Sequence, residues 1–146
     1  MNTTPRLKVR VLQRYRAPAG RVFDAWLDSK RAGRWLFATA TCPMAQVKID
    51  ARVGGSFSFV DGNDARGVEY VGEYLEIVRP RRLVFTLAME SRPRAVTRVT
   101  VEIEGLKSGC ELRLLHENVP SRQAIQAEKR WTGVLYGLGE TLGAAS

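Results

Sequence analysis

Apolar and charged residues alternate from the first ordered-looking segment, Leu7-Lys8-Val9-Arg10-Val11. A period of two predicts a strand with one buried face. Ala17-Pro18-Ala19-Gly20 interrupts the alternation, and Pro18 suits a helix start. Val22, Phe23, Trp26 and Leu27 then recur at helical spacing. Asp28-Ser29 reads as a stop followed by an N-cap for a second short helix through Trp35, which Gly33 weakens.

Across 46–117 the pattern is strand after strand. Val47 to Ile49 is short, and Gly54-Gly55 separates it from the alternation Ser56-Phe57-Ser58-Phe59. Asp61-Gly62-Asn63-Asp64 is a hairpin signal. A long β-rich stretch over 67–78 ends at Arg79-Pro80, and Leu83-Val84-Phe85-Thr86-Leu87 follows, with its own turn at Arg92-Pro93. Val99 to Ile103 and Cys110 to Leu114 complete the series around a glycine-bounded turn. Connections this short require antiparallel pairing, because a parallel partner needs a long crossover. The first strand and the one at Val47 are expected to end the sheet, with Arg and Lys discouraging edge pairing.

The last segment changes period. Trp131, Leu135, Leu138 and Leu142 step by four, three and four, with Val134 widening the stripe and Ile125 extending it upstream. Ser121 suits an N-cap. Gly133, Gly137 and Gly139 each lower helix propensity by about 1 kcal/mol relative to Ala, so this helix must gain its stability from packing. The order β-α-α-β-β-β-β-β-β-α then predicts an α+β fold, a seven-stranded curved antiparallel sheet around the C-terminal helix.

Composition narrows the function classes. The chain has 146 residues, suited to one domain over 1–146. Its 23 Lys+Arg against 15 Asp+Glu give a net charge of +8. The cations are scattered; the densest clusters, Arg79-Pro80-Arg81-Arg82 and Arg92-Pro93-Arg94, sit at turns without stacking aromatics. That argues for solvated loop charge and against a nucleic-acid face. No apolar run approaches the roughly 18 residues of a membrane span. The N-terminal segment carries no apolar signal core, and a cytoplasmic location is expected. Cys42 and Cys110 have no metal-ligand spacing and read as packing residues of a reduced compartment. Neither a metal site nor a cofactor is expected.

Enzyme motifs are missing: GxGxxG, GxxxxGK[ST] and GxSxG do not occur, and no catalytic residue is assigned. Gly54-Gly55 reads as a tight connection needing positive φ. His116 is the only histidine and shares the parity of Leu112 and Leu114, which points it to the concave side. It reads either as a polar contact or acid/base in a cavity, or as a histidine hydrogen-bonded at a strand end. Tyr70, Gly72 and Tyr74 share one parity, as do Phe57 with Phe59, and Leu83 with Phe85 and Leu87. Facing inward, they make either an aromatic cavity wall or plain core. Gly72 leaves room for a ligand or for a neighbouring ring.

Several segments together resemble a known family. They are Val22-Phe23-Asp24-Ala25-Trp26, Arg34-Trp35, Arg52-Val53-Gly54-Gly55-Ser56-Phe57, the run from Gly72 to Phe85, Leu112-Arg113-Leu114-Leu115-His116, and Trp131. They are similar in order and spacing to homologues of the activator of the heat-shock-protein-ninety ATPase. That family belongs to the START and birch-pollen-allergen-like (SRPBCC) superfamily. The resemblance implies the helix-grip fold with a cavity between sheet and long helix. Leu36 stands where the family usually has a second aromatic, and Arg130-Trp131 lacks the Gly that usually precedes the Trp. The expected function is binding of a hydrophobic or amphipathic small molecule. Trp35, Phe57, Phe59, Tyr70, Tyr74, Phe85, Leu87, Leu114, His116, Trp131, Leu135 and Leu138 are the candidate lining. The alternatives are an enzyme of the cyclase, dehydratase or hydrolase kind in the same cavity, or a chaperone-interacting regulator. A homodimer through another face is compatible with the sequence.

Overall fold

The computed structural model describes residues 6–36, 44–61, 69–89 and 96–144. β1 (Arg6–Tyr15) leads into α1 (Ala19–Leu27) and α2 (Ser29–Trp35). Six strands follow: β2 (Met44–Ile49), β3 (Ser56–Asp61), β4 (Glu69–Val78), β5 (Arg82–Met89), β6 (Thr97–Leu106) and β7 (Gly109–Pro120). A 3₁₀ turn over Ser121–Gln123 then opens into α3 (Ala124–Ala144). The seven strands form one sheet in the order β1-β7-β6-β5-β4-β3-β2, with each adjacent pair antiparallel. The two expected edge strands, β1 and β2, are the edges.

Two irregularities in register decide which side chains face α3. Opposite β1, Leu7 pairs with Val119 and Val9 with His116, so β7 carries one extra residue. Asn118 takes up that residue with φ 66°, a left-handed conformation Asn tolerates better than most. Because of this bulge both His116 and Val119 are buried, three positions apart. On β4, Tyr74 pairs with Phe85 and Glu76 with Val84, which leaves Leu75 as the extra residue. The inward parity passes from Tyr74 to Ile77, and Leu75 is turned out to solvent. Bulges also deepen the local twist, which bends the sheet around the helix.

α3 buries Trp131, Val134, Leu135, Leu138 and Leu142. At about 1.5–3 kcal/mol for each large apolar side chain, their burial outweighs roughly 3 kcal/mol of propensity lost to three glycines. Two of those glycines sit where neighbours come close. A Cβ on Gly139 would meet the Tyr15 ring at 3.4 Å and one on Gly137 the Trp35 Cβ at 3.9 Å. Tyr15 also donates its hydroxyl to the Leu135 carbonyl at 2.7 Å, tying the end of β1 to the helix. Ile125 does not extend the stripe: it is 72% exposed. Six residues before Trp131, it lies about 120° round the helix from it at ~100° per residue.

The caps also differ from expectation. Asp28, not Ser29, is the N-cap of α2, accepting a hydrogen bond from the Lys30 N–H at 3.0 Å. Ser121 begins the 3₁₀ turn, and α3 starts three residues later. Gly54 has φ 85°, the positive value its connection was expected to need. Two of the three arginines in the Arg79 to Arg82 cluster are held in ion pairs. Arg79 forks onto Asp24 of α1 at 2.8 and 2.9 Å, and Arg82 reaches Glu76 and Glu102. The Arg92 cluster, Cys42 and the turn at 62–64 lie outside the described residues. Among the described residues, no helix is long and apolar enough to cross a membrane.

Candidate functional site

The twelve candidate lining residues all face the interior, and nine of them fall into two groups. Phe57, Phe59, Tyr74 and Phe85 are buried on the concave side of β3, β4 and β5, and Trp35 of α2 is linked to them through Trp26. Tyr70, Leu87, His116 and Trp131 form the second group, between the sheet and the first turns of α3. Leu114, Leu135 and Leu138 are fully buried between sheet and helix.

The first group is an aromatic cluster centred on a residue the sequence pattern assigned only to a helix stripe. Trp26 packs edge-on to Trp35 at 4.7 Å between ring centres, and lies 6.2 Å from Phe85 and 6.3 Å from Trp131. Phe57 contacts Phe59, Tyr74 and Phe85 at 5.9, 5.4 and 5.5 Å. Phe57 lies directly across from Gly72, where a Cβ would come within 2.4 Å of the ring and 1.9 Å of the Thr86 carbonyl oxygen. The gap left by Gly72 is therefore filled by a neighbouring ring. What remains among these side chains is a void of about 10 Å³ lined by Trp26, Leu36, Phe57, Tyr74, Leu83 and Phe85, among others. That is room for about one water-sized sphere. Burial raises the Tyr74 phenol above its ordinary value, with the Asp50 carboxylate adding to it. Such a phenol stays protonated.

The second group encloses a cavity of about 50 Å³, walled by Tyr70, Leu87, His116, Trp131 and Val134 with Ala127 and Arg130. Sequence reasoning missed Ala127 and Arg130, and placed Val134 on the helix stripe without assigning it to the site. Their signal was helical spacing: Ala127, Arg130, Trp131 and Val134 occupy one face over two turns. Two larger grooves of about 640 and 780 Å³ lie elsewhere, at the end of the molecule where Arg16 and Pro18 emerge from β1. None of the twelve candidate residues lines either groove.

His116 has a fully determined hydrogen-bond state. The Trp131 indole, a donor only, gives its N–H to His116 Nδ1 at 3.0 Å. Nδ1 is therefore unprotonated and Nε2 carries the hydrogen, which is donated to Thr97 Oγ1 at 2.7 Å. Thr97 in turn donates a hydroxyl hydrogen bond to the Leu87 carbonyl at 3.0 Å. Burial, and then the positive charge of Arg130, push the His116 pKa down to about 4. Both ring nitrogens are occupied and the ring is neutral at physiological pH, so this arrangement is a latch joining α3 to β7 and β6. It leaves no free imidazole nitrogen for proton transfer.

Other ionisable groups offer little chemistry. The Cys110 thiol is buried and raised by desolvation, and no group of three or more His, Cys, Asp or Glu among the described residues could hold a metal ion. The indole N–H groups of Trp26 and Trp35 are buried without a hydrogen-bond partner among the described residues.

Comparison with known proteins adds the family and the fold. A family model described as Activator of Hsp90 ATPase homolog 1-like protein matches residues 16–143. No curated protein matches the chain. Protein CV1439 from Chromobacterium violaceum is 24% identical, with a TM-score of 0.80 over 92% of this chain and 95% of that one. An AHSA1-like protein from Aeromonas hydrophila gives 0.80 at 20% identity, over 95% and 94% of the two chains. CalU16 from Micromonospora echinospora gives 0.69 at 24% identity, over 95% and 85%. At these identities the structural likeness establishes the helix-grip fold and nothing finer.

Proposed function

The chain belongs to the Activator of Hsp90 ATPase homolog 1-like family, and from that premise we propose that it binds the apolar end of a small amphipathic molecule between the sheet and the start of α3. The observation that carries this reading is the 50 Å³ cavity bounded by Tyr70, Leu87, His116, Ala127, Trp131 and Val134. Its walls are mostly hydrocarbon and aromatic ring, with polar groups at a few fixed places, the composition expected of a small-molecule pocket. Its volume is below the range of roughly 300–1,000 Å³ that encloses a whole drug-sized ligand. The cavity therefore takes one end of a guest while the polar end remains at the rim.

Binding supports this reading better than catalysis does. An acid or base needs a titrating group in reach of the substrate, and His116 has both nitrogens engaged. The test is an NMR titration with octan-1-ol. Resonances of Tyr70, Leu87, Ala127 and Val134 are expected to shift together and saturably. Ala127→Phe, which fills the cavity, is expected to abolish the effect. Shifts scattered over the surface, or unchanged by Ala127→Phe, contradict the assignment.

A further inference from the structure

Among the described residues, one charged side chain stands on the wall of this cavity. Arg130 lines it beside neutral or apolar neighbours, and His116 is held in its uncharged form by its two hydrogen bonds. Arg130 makes no ion pair or side-chain hydrogen bond among the described residues. In contrast, Arg14, Arg52, Arg79, Arg82 and Arg113 each face a carboxylate. Its own helix explains the difference. The residues three and four away on either side are Gln126, Ala127, Gly133 and Val134, so no acidic partner shares its face. The result is a cation beside an apolar recess, with its hydrogen-bonding fork unspent among the described residues.

The recess also limits the shape of what enters. A water-sized sphere occupies about 10–15 Å³ of such space, so 50 Å³ admits about four non-hydrogen atoms. A slender alkyl end fits this allowance and a fused ring system does not. Resting on the small-molecule reading above, we propose that the ligand is an anionic amphiphile: a carboxylic acid whose unbranched alkyl end occupies the cavity while its carboxylate takes the Arg130 guanidinium at the rim. The planar guanidinium fork matches a carboxylate in two parallel hydrogen bonds, a geometry that neither an alcohol nor an ammonium head can use.

The test compares octanoate with octan-1-ol by calorimetry or ligand-observed NMR on the intact chain. Octanoate is expected to bind about tenfold tighter, the equivalent of one charge-assisted contact. Raising the ionic strength should weaken octanoate alone, and Arg130→Gln, at an exposed position, should bring the two affinities together. Ala127→Phe is expected to abolish both. A second readout needs no variant: a carboxylate bound beside Arg130 offsets its charge, so saturating octanoate should raise the His116 titration midpoint above about 4. Equal affinities in the wild type, both lost in Ala127→Phe, overturn the anion assignment and leave the small-molecule reading standing. Binding of neither compound, or binding indifferent to Ala127→Phe, overturns both. An octanoate preference that survives Arg130→Gln and leaves His116 unmoved overturns the role of Arg130.

Discussion

Lowering the pH through the range in which an ordinary histidine titrates should destabilise this protein through His116. In the unfolded chain that histidine titrates near 6.5, and in the folded chain near 4. Between those values the unfolded state binds more protons than the folded state, so stability falls as the pH falls. The difference, 6.5 − 4 = 2.5, at 1.36 kcal/mol per pH unit, sets a ceiling of about 3 kcal/mol. The loss begins near pH 6.5, is nearly complete by about pH 4, and flattens below. Protonation has a structural meaning here. A proton on Nδ1 removes the acceptor of the Trp131 N–H and places a cation beside Arg130 in a largely desolvated site. The assay is urea unfolding at intervals between pH 7.5 and 4, on the wild type and on His116→Asn. Asn keeps an oxygen for the Trp131 donor but does not titrate. Asp24 and Glu111, lowered chiefly by hydrogen bonds from Arg79 and Arg113, lose their contribution only as the pH falls through their folded values. They do so equally in both proteins, so the difference between the two curves isolates His116. Parallel curves across the whole range would refute the reasoning, as would an NMR titration placing the His116 midpoint near 6.5.

Three further substitutions test the packing. Gly72→Ala drives a methyl into the Thr86 carbonyl and the Phe57 ring; thermal unfolding should show a loss of about 3 kcal/mol or more, or no folded protein. Tyr15→Phe removes the buried hydrogen bond to Leu135 and should cost about 1–2 kcal/mol in urea unfolding. Trp131→Phe both shrinks a buried ring and leaves His116 Nδ1 without its donor. It should cost about 2–4 kcal/mol and raise the histidine midpoint, whereas Trp35→Phe, which gives up no hydrogen bond among the described residues, should leave that midpoint where it is.

The sheet was legible because alternation is a direct readout of a half-buried strand. Phe57 with Phe59, Leu83 with Phe85, and Val99 with Val101 and Ile103 all fall on the buried side that parity predicts. Parity fails where a strand carries an extra residue. Nothing in Glu117-Asn118-Val119 announces that the left-handed turn falls on Asn118, nor in Tyr74-Leu75-Glu76 that Leu75 drops out of register. Bulges answer to the curvature of the whole sheet, which no local window contains. Helix caps failed for a similar reason, since adjacent Asp28 and Ser29 are both good candidates and geometry chooses between them. The inward set of the site was legible, but its free volume was not. Gly72 could have made room for a guest as readily as for Phe57, and only the placement of the ring decides that.

His116 and Arg130 exchange the roles their residue types suggest. A lone histidine is the natural candidate for charge near neutral pH, yet every hydrogen bond His116 can make is already made, and its neutrality is what allows it to be buried against Trp131. Its contribution is to fix Trp131, and with it the inner wall of the recess. An arginine on an exposed helix turn is ordinarily a solvated charge, yet Arg130 lies on the face that closes the cavity and has no acidic residue in reach along its helix. It also depresses the His116 pKa, so its field extends into the recess. On the proposed reading, discrimination between guests would depend on Arg130, and shape selection on Trp131. This division makes a separable prediction: changing Arg130 should alter which head group is preferred without altering the preferred tail, and changing Trp131 should do the reverse. A titration series in head group and chain length on Arg130→Gln and Trp131→Phe checks both halves. If the two variants shift the same axis, head and tail are not read by different residues, and the division fails.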